Sequence, residues 1–239
     1  MYYATSDLHG YPLEEFLGFL GTVGFSAGDR LYIIGDVNDR NGDGGIAMYR
    51  WIMRQPNVTL IRGNHEQMLL DCDFLFDSGE APADLSGLSE AQVKALIRWS
   101  KNGCGVTIES LLKLKREEPA ELRALLEFLR ATPVYQEVSA GGHRFVLVHG
   151  GIPAFSPEIR LSEVEPFDLL WTRPELDTEY WDDRLTVLGH TPTRRYGEKG
   201  KMYAARTWVD IDTGAGSGGH PMLLRLDDLK PFYVKDGEG

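Results

Sequence analysis

Carboxylate, amide and imidazole side chains stand at the ends of five short apolar runs that have the composition of β-strands. The runs lie at 2–5, 30–35, 57–62, 144–150 and 184–189. The polar residues at or just after their ends are Asp7 and His9, Asp36 with Asp39 and Arg40, Asn64 with His65 and Glu66, His149, and His190. Ligands of open α/β sheets bind outside the carboxyl ends of the strands, so we expect these side chains to meet at one sheet edge.

Helical periodicity fills the stretches between these runs. Apolar residues recur at helical spacing in 13–20 and again in 46–53. This alternation predicts an α/β fold in which helices cover a largely buried sheet. The pattern stays helical from about 65 to 131, which predicts a helical subdomain. The short runs at 208–212 and 222–226 are interpreted as antiparallel strands that close a second sheet.

Composition excludes several classes of function. The 239 residues carry 25 Lys and Arg against 36 Asp and Glu, a net charge of −11, which disfavours a protein that binds duplex DNA by neutralising phosphates. No stretch approaches the roughly 18 apolar residues of a membrane span, and the first residues do not resemble a signal peptide. Cys72 and Cys104 are interpreted as reduced, buried thiols. We therefore expect a soluble cytoplasmic protein that binds neither nucleic acid nor a membrane.

Each polar fragment taken alone has an ordinary explanation. An isolated Asp-x-His is typical of a surface, Asn-His-Glu in a turn is typical of helix capping, and a histidine after a strand is usually a hydrogen-bonded core or loop residue. Five such fragments, each at a strand end, exceed what chance placement gives. Their oxygen and imidazole donors, without sulfur, suit Mn, Fe or Zn. The sequence therefore predicts a metal site.

The fragments also resemble the motifs of a known family. SDLHG (6–10), GDVNDRN (35–41), GNHE (63–66), HGG (149–151) and GHT (189–191) are similar to the marks of the phosphoprotein phosphatases, a branch of the metallophosphoesterases. WSKNGCGVT (99–107) and VDIDTGA (209–215) resemble two further stretches of the bacterial and phage members. Ser6, Asn38 and Asn41 depart from the family pattern, which has Gly, an apolar residue and Gly there. The departures leave every charged position of the motifs intact.

The resemblance implies a fold and a cofactor. The fold is a metallophosphoesterase-like four-layer sandwich of two mixed β-sheets flanked by helices, formed by a single domain over 1–239 with a helical insertion at about 65–131. The cofactor is a pair of divalent metal ions, Mn by expectation with Fe or Zn as the alternatives. By resemblance, Asp7, His9 and Asp36 hold one metal, and Asp36, Asn64, His149 and His190 hold the other. Two cations against two carboxylates leave this site cationic by about two charges, ready for hydroxide and phosphate.

The same resemblance assigns roles to the remaining charged residues. His65 is the general acid that protonates the leaving group, and Asp39 orients its imidazole. An alternative for Asp39 is capping of the helix that follows. Arg40 and Arg173, together with Asn64, are expected to bind the phosphate, although Arg173 also fits a surface salt bridge. Glu66 is expected to orient a ligand or its loop.

The expected function is a serine/threonine protein phosphatase. It would hydrolyse phosphoproteins or phosphopeptides as a monomer, by direct attack of a metal-bridging hydroxide. Two alternatives remain open, a symmetrical diadenosine tetraphosphate hydrolase, which shares these motifs, and a non-catalytic scaffold with the same fold. GAGSGG at 214–219 matches the GxGxxG pattern of dinucleotide sites. A proline and a strand pattern follow it where such a site has a helix, so a glycine turn near the pocket is predicted.

Overall fold

The computed structural model describes residues 1–77 and 87–234. Its strands are β1 (Tyr2–Thr5), β2 (Arg30–Ile34), β3 (Val58–Ile61), β4 (Tyr135–Ala140), β5 (His143–Val148), β6 (Leu185–Leu188), β7 (Tyr203–Ala204), β8 (Trp208–Asp210), β9 (Met222–Arg225) and β10 (Lys230–Tyr233). Its helices are α1 (Leu13–Thr22), α2 (Ile46–Met53), α3 (Asn64–Asp71), α4 (Phe74–Asp77), α5 (Glu90–Lys101), α6 (Gly105–Glu117), α7 (Pro119–Ala131) and α8 (Pro166–Trp171).

The strands form two five-stranded mixed sheets within the described residues. The first has the order β10-β9-β1-β2-β3, and the second β4-β5-β6-β8-β7. In the first sheet β1, β2 and β3 are parallel, and in the second β5, β6 and β8 are parallel. Each sheet therefore presents several carboxyl ends along one edge, which is where the polar residues follow.

Three apolar layers hold the sheets and helices together. Ala4, Ile34, Leu147 and Val187 belong to the layer between the two sheets. The outer face of the first sheet packs against the helices through residues such as Phe16, Leu31, Leu111 and Leu126. The outer face of the second sheet packs against α8 and nearby loops through Val146, Leu188, Trp208 and Leu169. The structure confirms the predicted four-layer sandwich of two mixed sheets flanked by helices.

The stretch predicted as helical, 65–131, carries α3 to α7 at its described residues, and 78–86 lie outside them. Ser89 caps α5 by accepting a hydrogen bond from the N–H of Gln92, whose side chain bonds back to the N–H of Ser89. Pro119 stands at the first position of α7, where its missing N–H costs nothing. These helices cover the first sheet beside the carboxyl ends of β2 and β3.

One part of the predicted topology was wrong. The sequence predicts that 208–212 and 222–226 are antiparallel strands that close a second sheet. β8 does lie in the second sheet, antiparallel to β7 but parallel to β6, whereas β9 lies antiparallel to β1 in the first sheet. Period-two patterning shows which face of a strand is buried but not which strand it pairs with. The parallel pairing of β8 brings Asp210 and Asp212 to the same edge as His190.

Candidate metal centre and acid pair

The loops at the carboxyl ends of the strands hold several polar residues in left-handed backbone conformations. Asp7 (φ 54°) and His9 (φ 44°) follow β1, Asp36 (φ 58°) follows β2, and His190 (φ 67°) follows β6. A non-glycine residue in this region costs about 1–2 kcal/mol, and such strain persists only where the surroundings enforce it. Its concentration at one edge marks this edge as a functional site.

Asp36 is buried at the middle of the cluster. Its Oδ2 lies 3.6 Å from Nε2 of His9 and 3.7 Å from Nε2 of His65. Its Oδ1 lies 3.2 Å from Nε2 of His149. Asn64 Oδ1 is 2.9 Å from that same His149 nitrogen. One carboxylate thus faces imidazoles with both of its oxygens, as a ligand shared by two cations would.

Two groups of potential metal ligands share this carboxylate. They are His9, Asp36 and His65, and Asp36, His149 and His190, with the ligand atoms of each group within 4.8 Å of one another. Asp7 lies beside both: its Oδ1 is 3.8 Å from Nε2 of His9, and its Oδ2 accepts a hydrogen bond from the N–H of His190 at 2.9 Å. The structure therefore brings all six predicted ligands together and adds His65 to the first group.

Hydrogen bonds fix which ring nitrogens face the cluster. Nδ1 of His9 lies 3.0 Å from the carbonyl oxygen of Asn38, and Nδ1 of His149 lies 2.9 Å from that of Ile34. Because a carbonyl only accepts, each Nδ1 donates a proton to it, and each Nε2 points into the cluster, where a bound cation would take the place of any proton on it. Nε2 of His190 is buried with no hydrogen-bond partner among the described residues. These inward-facing nitrogens fit divalent cations.

Burial and mutual charge shift the pKa values of the cluster in opposite directions. Burial lowers the pKa of His9 to about 3, which attraction to Asp36 offsets only in part. Burial also disfavours charge on His149, yet Asp36 and Asp7 raise its pKa to about 10. Burial and the nearby Asp212 hold the pKa of Asp7 well above its usual range. Bound cations stabilise the carboxylates and neutral imidazoles that such a donor set needs.

Glu66 anchors the loop that carries Asp36. Its Oε2 accepts hydrogen bonds from the N–H groups of Asp36 and Gly63, and its Oε1 from that of Val37, each at 2.8 Å. The phenol of Tyr49 lies 2.8 Å from the same Oε1 and donates to it. Four donors therefore fix this fully buried carboxylate, and it orients the loop that carries Asp36, the central candidate ligand.

His65 and Asp39 form a buried pair beside the cluster. Nδ1 of His65 lies 2.6 Å from Oδ2 of Asp39. The indole N–H of Trp99 donates to the same oxygen at 2.8 Å, and the hydroxyl of Thr107 donates to Oδ1 at 2.6 Å. An imidazole oriented by a carboxylate that is itself held in place can act as a general acid.

The structure gives Asp39 no capping role, because Asp43, two residues before the N-cap Gly45, bonds the N–H groups at the start of α2. The Asp43 carboxylate accepts hydrogen bonds from the N–H of Gly45 at 2.9 Å and of Ala47 at 2.8 Å, at the start of α2. Asp39 lies before this turn and is fully buried.

The two predicted phosphate-binding arginines are both exposed. Nη2 of Arg40 donates to Nε2 of His65 at 3.2 Å. Arg173 forms no salt bridge with a described residue. The surface salt bridge that its sequence context also allowed is therefore absent from the described part of the chain. Burial is the main reason that the pKa of His190 lies below its usual range, and the charge of His149 is the second. The charge of Arg173 lowers that pKa further. Both guanidinium groups are therefore placed near the cluster, with donors suited to phosphoryl oxygens.

The glycine stretch 214–219 passes directly beside these residues. A Cβ built on Gly216 would lie 2.3 Å from Cδ2 of His9 and 2.8 Å from Nη1 of Arg40. The stretch leads into β9 and not into a helix, so it is not the phosphate loop of a dinucleotide-binding unit.

Several residues that build the site were not singled out individually by the sequence. Trp99 and Thr107 belong to the stretch 99–107, for which the sequence showed only a resemblance to the bacterial and phage phosphatases. The helical pattern of α2 predicts Tyr49 only as a core residue. Asn38 was noted as a departure. Its amide nitrogen donates to the carbonyl oxygen of His65 at 3.3 Å, and its Oδ1 lies 2.8 Å from the phenol oxygen of Tyr49, whose single proton it shares with Glu66.

Comparison with known proteins accounts for this combination of fold and cluster. A family model described as calcineurin-like phosphoesterase matches residues 2–213. The chain belongs to this family. The phosphoesterase is 27% identical over 209 residues to serine/threonine-protein phosphatase 1 of Salmonella typhimurium, covering 83% of this chain and 79% of that protein. It is also 28% identical over 241 residues to a symmetrical bis(5'-nucleosyl)-tetraphosphatase of Chromobacterium violaceum, covering 99% of this chain and 67% of that protein.

Solved structures share the fold of this phosphoesterase. A crystal structure described as a diadenosine tetraphosphatase aligns with a TM-score of 0.62 at 16% identity, covering 100% of this chain and 94% of the other. A serine/threonine phosphatase from Saccharomyces cerevisiae aligns with a TM-score of 0.61 at 13% identity, covering 99% and 80%. No helix in the described part of the chain is long and apolar enough to cross a membrane.

Proposed function

We propose that this phosphoesterase is a metal-dependent phosphatase that removes phosphoryl groups from phosphoserine and phosphothreonine in proteins, with water attacking directly and no covalent phosphoenzyme. The observation that carries the proposal is the Asp39–His65 pair, whose 2.6 Å contact lies against the metal cluster. Serine and threonine leave as strongly basic alkoxides, so their departure needs a proton donor. The Salmonella relative named as a serine/threonine phosphatase supports the same substrate class.

The candidate ligands divide into two sets around Asp36. Asp7, His9 and Asp36 would hold one cation, and Asp36, Asn64, His149 and His190 the other. Divalent cations bound there supply Lewis acidity, which lowers the pKa of a coordinated water and neutralises phosphoryl charge. We propose Mn, with Fe or Zn as alternatives, because the donors are oxygen and imidazole.

The protein's own groups position the ester and deliver the proton. Arg40, Arg173 and Asn64 bind phosphoryl oxygens, and a planar guanidinium can meet two of them at once. In the structure Nε2 of His65 accepts a hydrogen bond from Arg40. Arg40 therefore has to turn toward the phosphoryl group before Nε2 can carry the proton for the leaving oxygen. Asp39 keeps Nδ1 occupied and stabilises the imidazolium.

The experiment compares two leaving groups in the Mn-loaded enzyme. His65→Asn is expected to lower hydrolysis of a phosphoserine peptide by on the order of 10²–10⁴. It should affect p-nitrophenyl phosphate far less, because nitrophenolate leaves without a proton. His143→Asn is the matched control, since that imidazole is exposed at the start of β5. Asp36→Asn is expected to abolish hydrolysis of both substrates. Equal phosphopeptide rates for His65→Asn and the wild type would disprove the acid assignment.

A second candidate is a symmetrical diadenosine tetraphosphate hydrolase. The Chromobacterium violaceum relative with that name aligns with 99% of this chain, which supports dinucleotide hydrolysis as an alternative function. Turnover of diadenosine tetraphosphate, compared with a phosphopeptide panel under each of Mn, Mg, Zn and Fe, separates the two. A higher kcat/KM for the dinucleotide than for every phosphopeptide would replace the proposal.

A third candidate is a non-catalytic scaffold that keeps the fold. The intact set of ligands, proton donor and arginines argues against it, because a group of crowded, buried charges is costly to retain without use. Elemental analysis after gentle purification that finds no divalent metal would favour the scaffold. We further propose that the chain acts as a monomer on phosphoprotein substrates, which sedimentation of the free enzyme tests.

A further inference from the structure

The turn between α5 and α6 holds the two consecutive residues Asp39 and Arg40 from outside the sheet. Trp99, near the end of α5, donates its indole N–H to Oδ2 of Asp39 at 2.8 Å. Thr107, in the first turn of α6, donates its hydroxyl to Oδ1 at 2.6 Å. Between them, the carbonyl oxygen of Gly103 accepts a hydrogen bond from the N–H of Arg40 at 3.1 Å. We call these three contacts the 99–107 clamp.

The clamp leaves the Asp39 carboxylate little freedom to rotate. Both oxygens are occupied, Oδ1 by Thr107 and Oδ2 jointly by Trp99 and His65. The same Thr107 hydroxyl accepts a hydrogen bond from the N–H of Asp39 at 3.0 Å, which ties the side chain to its own backbone. Asp39, Trp99 and Thr107 are all fully buried, so water cannot replace a lost donor at low cost. Removing either donor frees the carboxylate that orients His65.

We propose that Trp99 and Thr107 are positioning residues for proton transfer to the leaving group, acting through Asp39 on His65. The proposal rests on the general-acid role of His65 in the proposed function. The proposal gives the helical insertion a role in catalysis. Helices α5 and α6 lie outside both sheets, yet they determine the orientation of the His65–Asp39 pair. Among the described residues, the side chains of Trp99 and Thr107 donate to Asp39 and Gly44 and to no candidate metal ligand, so metal binding should not depend on them.

A purely structural role for these residues predicts a different result. Trp99 is a large, fully buried side chain, and its loss could damage the whole site. Such damage would lower turnover of every substrate, whereas loss of positioning affects only substrates whose leaving group needs a proton. The ratio of phosphopeptide turnover to p-nitrophenyl phosphate turnover therefore separates the two roles.

The test uses variants that remove a donor and keep the shape, Trp99→Phe and Thr107→Val. Trp208→Phe is the matched control for the indole, because Trp208 is equally buried and donates to the carbonyl oxygen of Thr178 at 3.0 Å, away from Asp39. Thr186→Val is the control for the hydroxyl, which is buried there with no partner among the described residues. Melting temperatures of all four variants show whether each remains folded.

The proposal predicts that Trp99→Phe and Thr107→Val each lower kcat for the phosphoserine peptide by about 10–100-fold. Their rates with p-nitrophenyl phosphate and their Mn content should stay close to those of the wild type. Added to His65→Asn, either variant should cause no further loss, because it acts through the same imidazole. An equal loss on both substrates, or a phosphopeptide rate that matches the control variants, would overturn the proposal.

A measurement without turnover tests the contact itself. The indole N–H resonance of Trp99, identified by its absence in Trp99→Phe, should shift in Asp39→Asn while that of Trp208 does not. An unchanged Trp99 resonance would overturn the clamp. Failure of the proposed function looks different: His65→Asn would then leave phosphopeptide turnover unchanged. If instead His65→Asn reduces that turnover and the clamp variants do not, the acid assignment stands and only the clamp is wrong.

Discussion

At the residue scale, the candidate metal ligands are packed so closely that one added methyl group should disturb them. Gly189 follows β6, and a Cβ there would lie 2.3 Å from Oδ2 of Asp7 and 2.8 Å from the side chain of Ser6. Gly189→Ala is therefore expected to displace Asp7 and weaken Mn binding by about 10–100-fold, as measured by titration calorimetry. Gly18→Ala is the control, since nothing lies within 4 Å of its added Cβ. Unchanged Mn affinity in Gly189→Ala would contradict a ligand role for Asp7.

Site residues could be predicted from the sequence only where local position carries information. Asp7, Asp36 and His190 each stand just past a strand, and parallel strands bring such positions to one edge. The residues that hold Asp39 carry no such signal, because Trp99 lies 60 positions and Thr107 lies 68 positions from it along the chain. Their role depends on how α5 and α6 pack over the first sheet.

At the scale of a single element, the start of α2 depends on Asp43. Its carboxylate accepts hydrogen bonds from the N–H of the N-cap residue Gly45 and from that of Ala47 in the first turn. Asp43→Ala is expected to lower the free energy of unfolding by about 0.5–2 kcal/mol, which denaturant titration measures. Asp43→Asn keeps an acceptor and should lose less. If Asp43→Ala is as stable as the wild type, the capping assignment is wrong.

The strands missed by the sequence are three of the four at the sheet edges; the fourth, β3, was predicted because three of its four residues are buried. β4, β7 and β10 are edge strands of the two sheets. These three strands bury few of their side chains: in β4 only Val138 and Ala140 are buried, and in β7 and β10 none is. Patterning by hydrophobicity is therefore weak there, whereas the central strands β1, β2, β5 and β6 carry continuous apolar runs that the sequence displays.

At the scale of the whole molecule, the two sheets face each other so that their carboxyl ends meet at one rim. Strand pairing decides this arrangement, and it is the feature that the sequence predicted least well. β9 inserts beside β1, with Ala4 opposite Leu224, and so extends the first sheet. Both residues belong to the apolar layer between the sheets. The pairing of β9 with β1 is therefore determined by burial of their shared face, which the local sequence pattern of either strand does not show. Periodicity indicated a second sheet, and the resemblance to a family supplied the four-layer arrangement of the two sheets and their helices.

We propose that six residues at the ends of five strands, β1, β2, β3, β5 and β6, converge on a pair of divalent cations. A crystal soaked in Mn, measured at the Mn absorption edge, tests it directly. We predict two anomalous peaks that share Asp36, one within bonding distance of His9 and the other within bonding distance of His149 and His190. A map with no peak at Asp36, or with peaks only elsewhere on the chain, would contradict the account.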